Sequence, residues 1–242
     1  MRTLVFAAFA SLALASVACT AAVETTDAPI DESEADITSA SKQSCGASYT
    51  PALRKYELAV YAAKAIKAKK VCEPVTNPKD KSSVDATHEA VGELLQEAVA
   101  TCPAFRDVYK TSPYAAPARE VLAPSLLGDV VSGALDTKTF AGLDKALVCK
   151  TMFGPKPGVA NLFDVTFAAG GKATFRSFDF EKGDFVTTSA TWSVKAGAKP
   201  EVSIVSGGKT TVYTPKLEAG HVILAPTGDA HPISTSSDPC SA

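Results

Sequence analysis

The sequence predicts an α+β protein: N-terminal disulfide-linked helices followed by an antiparallel β-meander or small (half-)barrel. Three observations point there. Apolar residues recur at helical spacing up to Cys102, short glycine-punctuated strands follow from about residue 146, and six cysteines occur without any CxxC spacing. The 242 residues are 46% hydrophobic and 21% charged, proportions that exclude wholesale disorder and a fibrous repeat. A formal charge of −2 argues against a general nucleic-acid binder.

The chain divides into a signal peptide (1–18), an acidic disordered linker, lipid-anchored or free (19–42), a mainly helical region (43–145) and an antiparallel β region (146–242). Arg2 supplies the positive start of the signal. Residues 4–17 are apolar apart from two serines, shorter than the roughly 20 residues a spanning helix needs. Ser16-Val17-Ala18-Cys19 resembles the lipobox of bacterial lipoproteins. That resemblance implies an acylated Cys19 and membrane attachment through the lipid rather than a transmembrane helix. With Thr20 next, it points to the outer membrane. Plain secretion or periplasmic release, with cleavage at Ala18 or near Ala22, is the other reading. In 20–42 six acids (Glu24, Asp27, Asp31, Glu32, Glu34, Asp36) face one base, Lys42, with no aromatic residue. Such a stretch buries too little apolar surface to offset the entropy of ordering.

Five cysteines remain beyond Cys19, and export makes disulfides their default. Cys45, Cys72, Cys102 and Cys240 are the disulfide candidates, and Cys149, in an apolar run, is the candidate buried free thiol. If the helices ending at Cys72 and Cys102 are antiparallel, those ends lie about 20 Å apart, which favours Cys45 as the partner of Cys102. The loop 73–84 is long enough to relax this, so Cys72 with Cys102 fits equally. Cys240 is expected to clip the C-terminus to the body.

Thr50-Pro51 reads as an N-cap and first helical residue of a helix running to about residue 70. It is strongly basic, with Arg54, Lys55, Lys64, Lys67, Lys69 and Lys70 against Glu57. That face could meet anionic head groups or the acidic linker, or simply be solvated, with lysine stems covering apolar surface. A second helix follows Asp85, its stripe of Val91, Leu94, Leu95, Ala98, Val99 and Cys102 forming one core-facing side. Shorter helical pieces are expected at 103–110 and 113–122, where Ser112-Pro113 repeats the cap signal. Residues 124–145 are ambiguous.

Seven strands are expected: 146–153, 162–168, 173–180, 185–194, 201–206, 209–214 and 221–225. Glycines at 170–171, 183 and 207–208 supply the positive φ of tight hairpins. In 173–180 the apolar parity shifts between Phe175 and Phe178, the mark of a bulge. The run from Phe163 to Phe175, then Ala190-Thr-Trp-Ser-Val194, then Val202 to Tyr213 resembles the lipocalin-like domains of small bacterial envelope proteins, over roughly 146–226. The resemblance implies an antiparallel barrel or half-barrel and brings no catalytic residues with it. Trp192, the single tryptophan, reads as barrel core.

Catalytic and metal signatures fail. Gly208-Lys209-Thr210 ends like a P-loop, but Ser203 stands where its first glycine belongs and a strand follows. Ser39-Ala-Ser-Lys42 matches SxxK alone, without the companion motifs. His88-Glu89 lacks the second histidine of HExxH. His221, Asp229 and His231 read as surface or capping residues rather than a metal cluster, and Asp179 and Glu181 as strand-end and turn residues rather than a hydrolase pair. No catalytic, cofactor-binding or metal residue is assigned, and no cofactor is expected. The sequence leans to a non-enzymatic envelope lipoprotein that binds a small apolar ligand or an envelope protein, or serves a structural role. A secreted protein-binding module, such as an inhibitor of an extracellular hydrolase, is the alternative; an enzyme without a recognisable motif is a third.

Overall fold

The computed structural model describes residues 39–154, 162–218, 221–228 and 230–234. The expected signal peptide, Cys19, most of the acidic linker, Asp229 and Cys240 lie outside the described residues. The chain is α+β: a layer of short helices packs on one end of a closed eight-stranded antiparallel barrel.

Helix α1 (Ser39–Cys45) opens the described fold, so helix begins four residues inside the stretch read as linker. After one 3-10 turn, α2 (Tyr49–Lys67) follows. It starts one residue before Thr50, and no side chain caps it. It ends at Lys67 rather than near residue 70, because Lys69 and Cys72 turn into the left-handed region. Ala59, Ala62 and Ala63 on α2 are fully buried. Such small residues let α2 lie close against α3 (His88–Thr101), which presents Val91, Leu95, Ala98 and Val99. Thr87 caps α3, its hydroxyl accepting from the Ala90 amide at 3.0 Å. Phe105 on α4 (Phe105–Thr111) closes the core against Tyr49 and Tyr56. Ser112 caps the turn into α5 (Ala116–Leu122), as the Ser-Pro signal predicts.

The disulfide joins Cys45 to Cys102, tying α1 to the end of α3 with Cα atoms 5.5 Å apart. Of the two pairings open for Cys102, the structure has the one with Cys45. Cys72 is also disulfide-bonded, and no described cysteine is free.

The basic face of α2 is largely neutralised within the fold. Lys55 pairs with Glu97, Lys67 with Glu120, and Lys64 sits 5.3 Å above the Tyr114 ring. Glu57, only 2% exposed, accepts from Arg54 at 3.1 Å and from Lys79 at 2.6 Å. Lys79 comes from a hairpin, β1 (Pro74–Thr76) and β2 (Ser83–Asp85), in the segment read as loop. Three-residue strands with mixed composition give too short an alternation to detect.

Residues 124–150 join the two parts. They form α6 (Leu127–Ser132) and α7 (Leu143–Ala146), and their Leu126, Leu135, Phe140, Leu143 and Leu147 plug one end of the barrel. Residues 146–150 are therefore not strand: β3 (Thr151–Gly154) begins at Thr151. Cys149, expected as a buried free thiol, is exposed and disulfide-bonded. Its φ of +64° turns the chain from the helical plug onto the sheet and directs the side chain outward, which its apolar sequence neighbours do not reveal. Beside it, Lys150 donates to the Ala123 carbonyl at the end of α5.

Burial raises the Asp129 carboxyl pKa, with Lys150 partly opposing, and burial lowers that of Lys150. A raised folded pKa means the fold holds the Asp129 proton more tightly than the unfolded chain does. Its contribution to stability is full below the ordinary carboxylate value and is lost as pH rises through the raised one. Asp129→Asn is therefore expected to match wild type in acid and to exceed it at neutral pH. Urea unfolding of both proteins from pH 3.5 to 7 measures the difference.

The barrel runs β3, β4 (Phe163–Ala168), β5 (Lys172–Asp179), β6 (Asp184–Lys195), β7 (Glu201–Ser206), β8 (Lys209–Glu218), β9 (His221–Pro226) and β10 (Ile233–Ser234), each antiparallel to the next. β10 pairs with both β9 and β3 and closes the ring, too short for its pattern to be seen in sequence. The β7–β8 turn has positive φ at both Gly207 and Gly208, a type I′ geometry that rules out a phosphate loop there. Along β7 and β9, Val202, Ile204, Val222 and Leu224 point inward, as alternation requires. An eight-stranded barrel is just wide enough to be filled by side chains. Here Met152, Val165, Phe167, Trp192 and Leu224 fill the half next to the plug. Trp192 is 8% exposed, meets Phe167 edge-on at 5.2 Å, and donates its indole N–H to the carbonyls of Ala168 and Lys172.

Candidate functional site

The two ends of the barrel differ. The helical plug closes one; at the other the β5–β6 hairpin extends and the side chains become aromatic and solvent-facing. The β5–β6 register runs without a break from Lys172↔Thr191 to Asp179↔Asp184. The expected bulge is absent. The parity shift has another cause: Phe175 points into the barrel, whereas Phe178 points out and lies directly across from Phe185.

Phe178 packs edge-on against Phe180 at 5.1 Å and against Phe185 at 5.3 Å. Phe180 is 76% exposed and Phe185 38%. Arg176 stacks over the Phe185 ring at 4.7 Å while its guanidinium pairs with Asp164 at 2.6 Å. Asp164 is itself buried, so this pair braces the aromatic face from the side. The turn is rigidified by Asp179, whose carboxylate accepts the amides of Glu181 (3.0 Å) and Lys182 (3.2 Å). The Lys182 side chain and these amide bonds hold its pKa below the usual range. Asp179 ends β5 and Glu181 lies in the turn, as their sequence setting indicates. The hairpin tip thus carries three exposed or half-buried rings among Asp179, Glu181 and Asp184, with Lys182 in the turn and Arg176, paired to Asp164, as the bases beside them.

Inside the mouth, Phe163 and Phe175 stack at 5.4 Å. Phe163 lies flat on Gly154, where a Cβ would come within 2.4 Å of the ring. Gly154→Ala is expected to push Phe163 out of its stack and cost about 1–3 kcal/mol, read by thermal unfolding.

His88 opens α3 and His221 opens β9, the latter expected as a surface or capping residue. His221 Nε2 is 3.4 Å from Glu89 Oε1, with both side chains about 15% exposed, so the pair bridges α3 and β9. No sequence signal links positions 132 residues apart. His231 is exposed. No group of three or more His, Cys, Asp or Glu residues suited to a metal occurs among the described residues. Ser41 and Lys42 of the SxxK run lie on α1. No helix among the described residues is long and apolar enough to cross a membrane.

Comparison with family models, with curated proteins and with solved structures returns no match.

Proposed function

We propose that the chain is an exported cell-envelope protein, anchored through a lipid on Cys19, that acts as a non-enzymatic binding module and meets a partner protein through the aromatic tip of its barrel. The observation that supports this most is the Phe178–Phe180–Phe185 cluster. Exposed rings grouped on a braced hairpin cost solvation that a stable fold alone does not require. A rigid, filled barrel presents them with little ordering entropy to lose on binding. The acids around the rings suit a partner pocket that is apolar with a basic rim, and an extracellular hydrolase is one such partner. Phe180→Ser is expected to leave stability within about 0.5 kcal/mol of wild type. It should weaken partner binding by about thirtyfold or more, the loss typical of a central aromatic anchor. Immobilised wild type and variant, exposed to the same envelope extract, report this. Retention of the same proteins by both would refute the tip as the binding surface.

A small apolar ligand within the barrel is the second reading, favoured by the half-buried Phe163–Phe175 stack at the mouth. The packing of Met152, Phe167 and Trp192 deeper inside leaves it the weaker one. For the anchor, intact mass is expected to show a diacyl or triacyl addition on Cys19, with Cys45, Cys72, Cys102 and Cys149 alkylated only after reduction. An unlipidated mass with Cys19 open to alkylation after reduction would reject it.

A further inference from the structure

A groove of about 630 Å³ runs along the seam between the helical layer and the barrel plug. Its floor is apolar and comes from both sides: Val99 and Val131 belong to the helical core, and Leu135 to the barrel core. Its size falls in the range of small-molecule sites, which favour such seams.

One polar group in its lining is left unsatisfied. The Gln96 Nε2, shielded from solvent, has no hydrogen-bond partner among the described residues. A buried amide left unpaired costs free energy, so its side-chain signal reports any rearrangement at the groove. Arg106, an exposed residue, lines the groove and, among the described residues, its guanidinium has no acidic partner, unlike Arg54 and Arg176, so it is open to an anion from solvent. The Arg106 side chain lies over Gly133, where a Cβ would stand 3.2 Å from its Cδ and Nε. Gly133 also has φ +75°, a backbone that favours glycine, and glycine leaves the space the arginine occupies. Lys138 adds a second positive charge at the rim, and Asp136 a negative one. The Asp136 carboxylate is already engaged, accepting the amides of Lys138 and Thr139 at 2.8 Å each.

We propose that this groove binds a small monocarboxylate with an apolar body, its carboxylate on Arg106 and Lys138, its body on Val99, Val131 and Leu135. A planar guanidinium fork matches a carboxylate in bidentate fashion. Two cations and one anion around the site suit a single negative charge; a dianion such as phosphate would be repelled by Asp136. The site is distinct from the aromatic tip and stands whether or not the tip binds a partner.

The test is an NMR and calorimetric titration of the full chain with octanoate, octanol and octylammonium. Octanoate is expected to bind saturably at one site, with shifts at Val131, Leu135 and the Gln96 side-chain amide. Octanol and octylammonium should bind about tenfold more weakly or less well still. Arg106→Met should weaken octanoate by about tenfold or more, and Lys138→Met by a smaller factor, with unchanged circular dichroism. The exposed Lys209→Met should change nothing. Three outcomes would overturn the proposal: no saturable octanoate binding up to about 10 mM, equal affinity for octanol, or shifts confined to the Phe163–Phe175 end. Undiminished octanoate binding by Arg106→Met would do the same.

Discussion

Replacing Cys45 and Cys102 together by alanine is expected to lower the unfolding free energy by about 4 kcal/mol. The bond spans 57 residues of sequence, and a loop of that size, left open, returns this much chain entropy to the unfolded state. Cys102 is fully buried in the helical core, so its truncation adds a small cavity term. The loop encloses α2, β1, β2 and α3, so the loss falls on the helical layer. Amide exchange should show α2 and α3 opening more readily while β6 and β7 keep most of their protection. At about 2–4 °C per kcal/mol for a chain of this size, the melting temperature should fall by roughly 10 °C. A loss under about 1 kcal/mol would mean that the unfolded chain keeps α1 near α3 without the bond.

Trp192→Ala is expected to destabilise by about 3–5 kcal/mol. The ring fills the barrel beside Phe167, and the indole N–H satisfies two carbonyls, of Ala168 and Lys172, at the β4–β5 turn. Truncation opens a cavity between Phe167, Ile204 and the plug, and strips both carbonyls of that donor. Trp192→Phe separates these effects: it keeps most of the apolar volume and loses the N–H, for about 1–2 kcal/mol. Chemical denaturation followed by circular dichroism compares the three proteins, since the variants lack the only tryptophan. Near-equal losses for alanine and phenylalanine would show that the two hydrogen bonds, rather than packing, set the barrel's stability at this end.

Much of the fold was legible because its signals are local. The stripe from Val91 to Val99 reports a helix face with no knowledge of what it meets. The glycine pairs at 170–171 and 207–208 report turns, since positive φ is a property of one or two residues. Trp192 was legible as core because the strands around it alternate cleanly. The failures are equally physical. The two-residue β10 carries no period of its own and exists because β3 and β9 lie on either side of it. Cys149 sits among apolar neighbours in sequence yet faces outward, because a left-handed backbone reverses the chain there.

The candidate sites were least legible. The parity shift at Phe178 was visible, but a bulge and an outward ring give the same sequence pattern; only the unbroken register with Phe185 across from it separates them. The groove draws on Gln96, Arg106, Val131 and Lys138, whose spacing follows no motif, because three elements and a loop converge there. The sequence by itself determined the class of fold, the order of helices before strands, and the hairpins of the sheet, all of which follow from backbone preference and apolar period over a few residues. Only the tertiary structure decided that the sheet closes, that Cys45 meets Cys102, that α2's lysines find acids on α3 and α5, and that Gln96, Arg106 and Lys138 line one groove. These depend on which distant surfaces come together, and packing settles that for the whole chain at once.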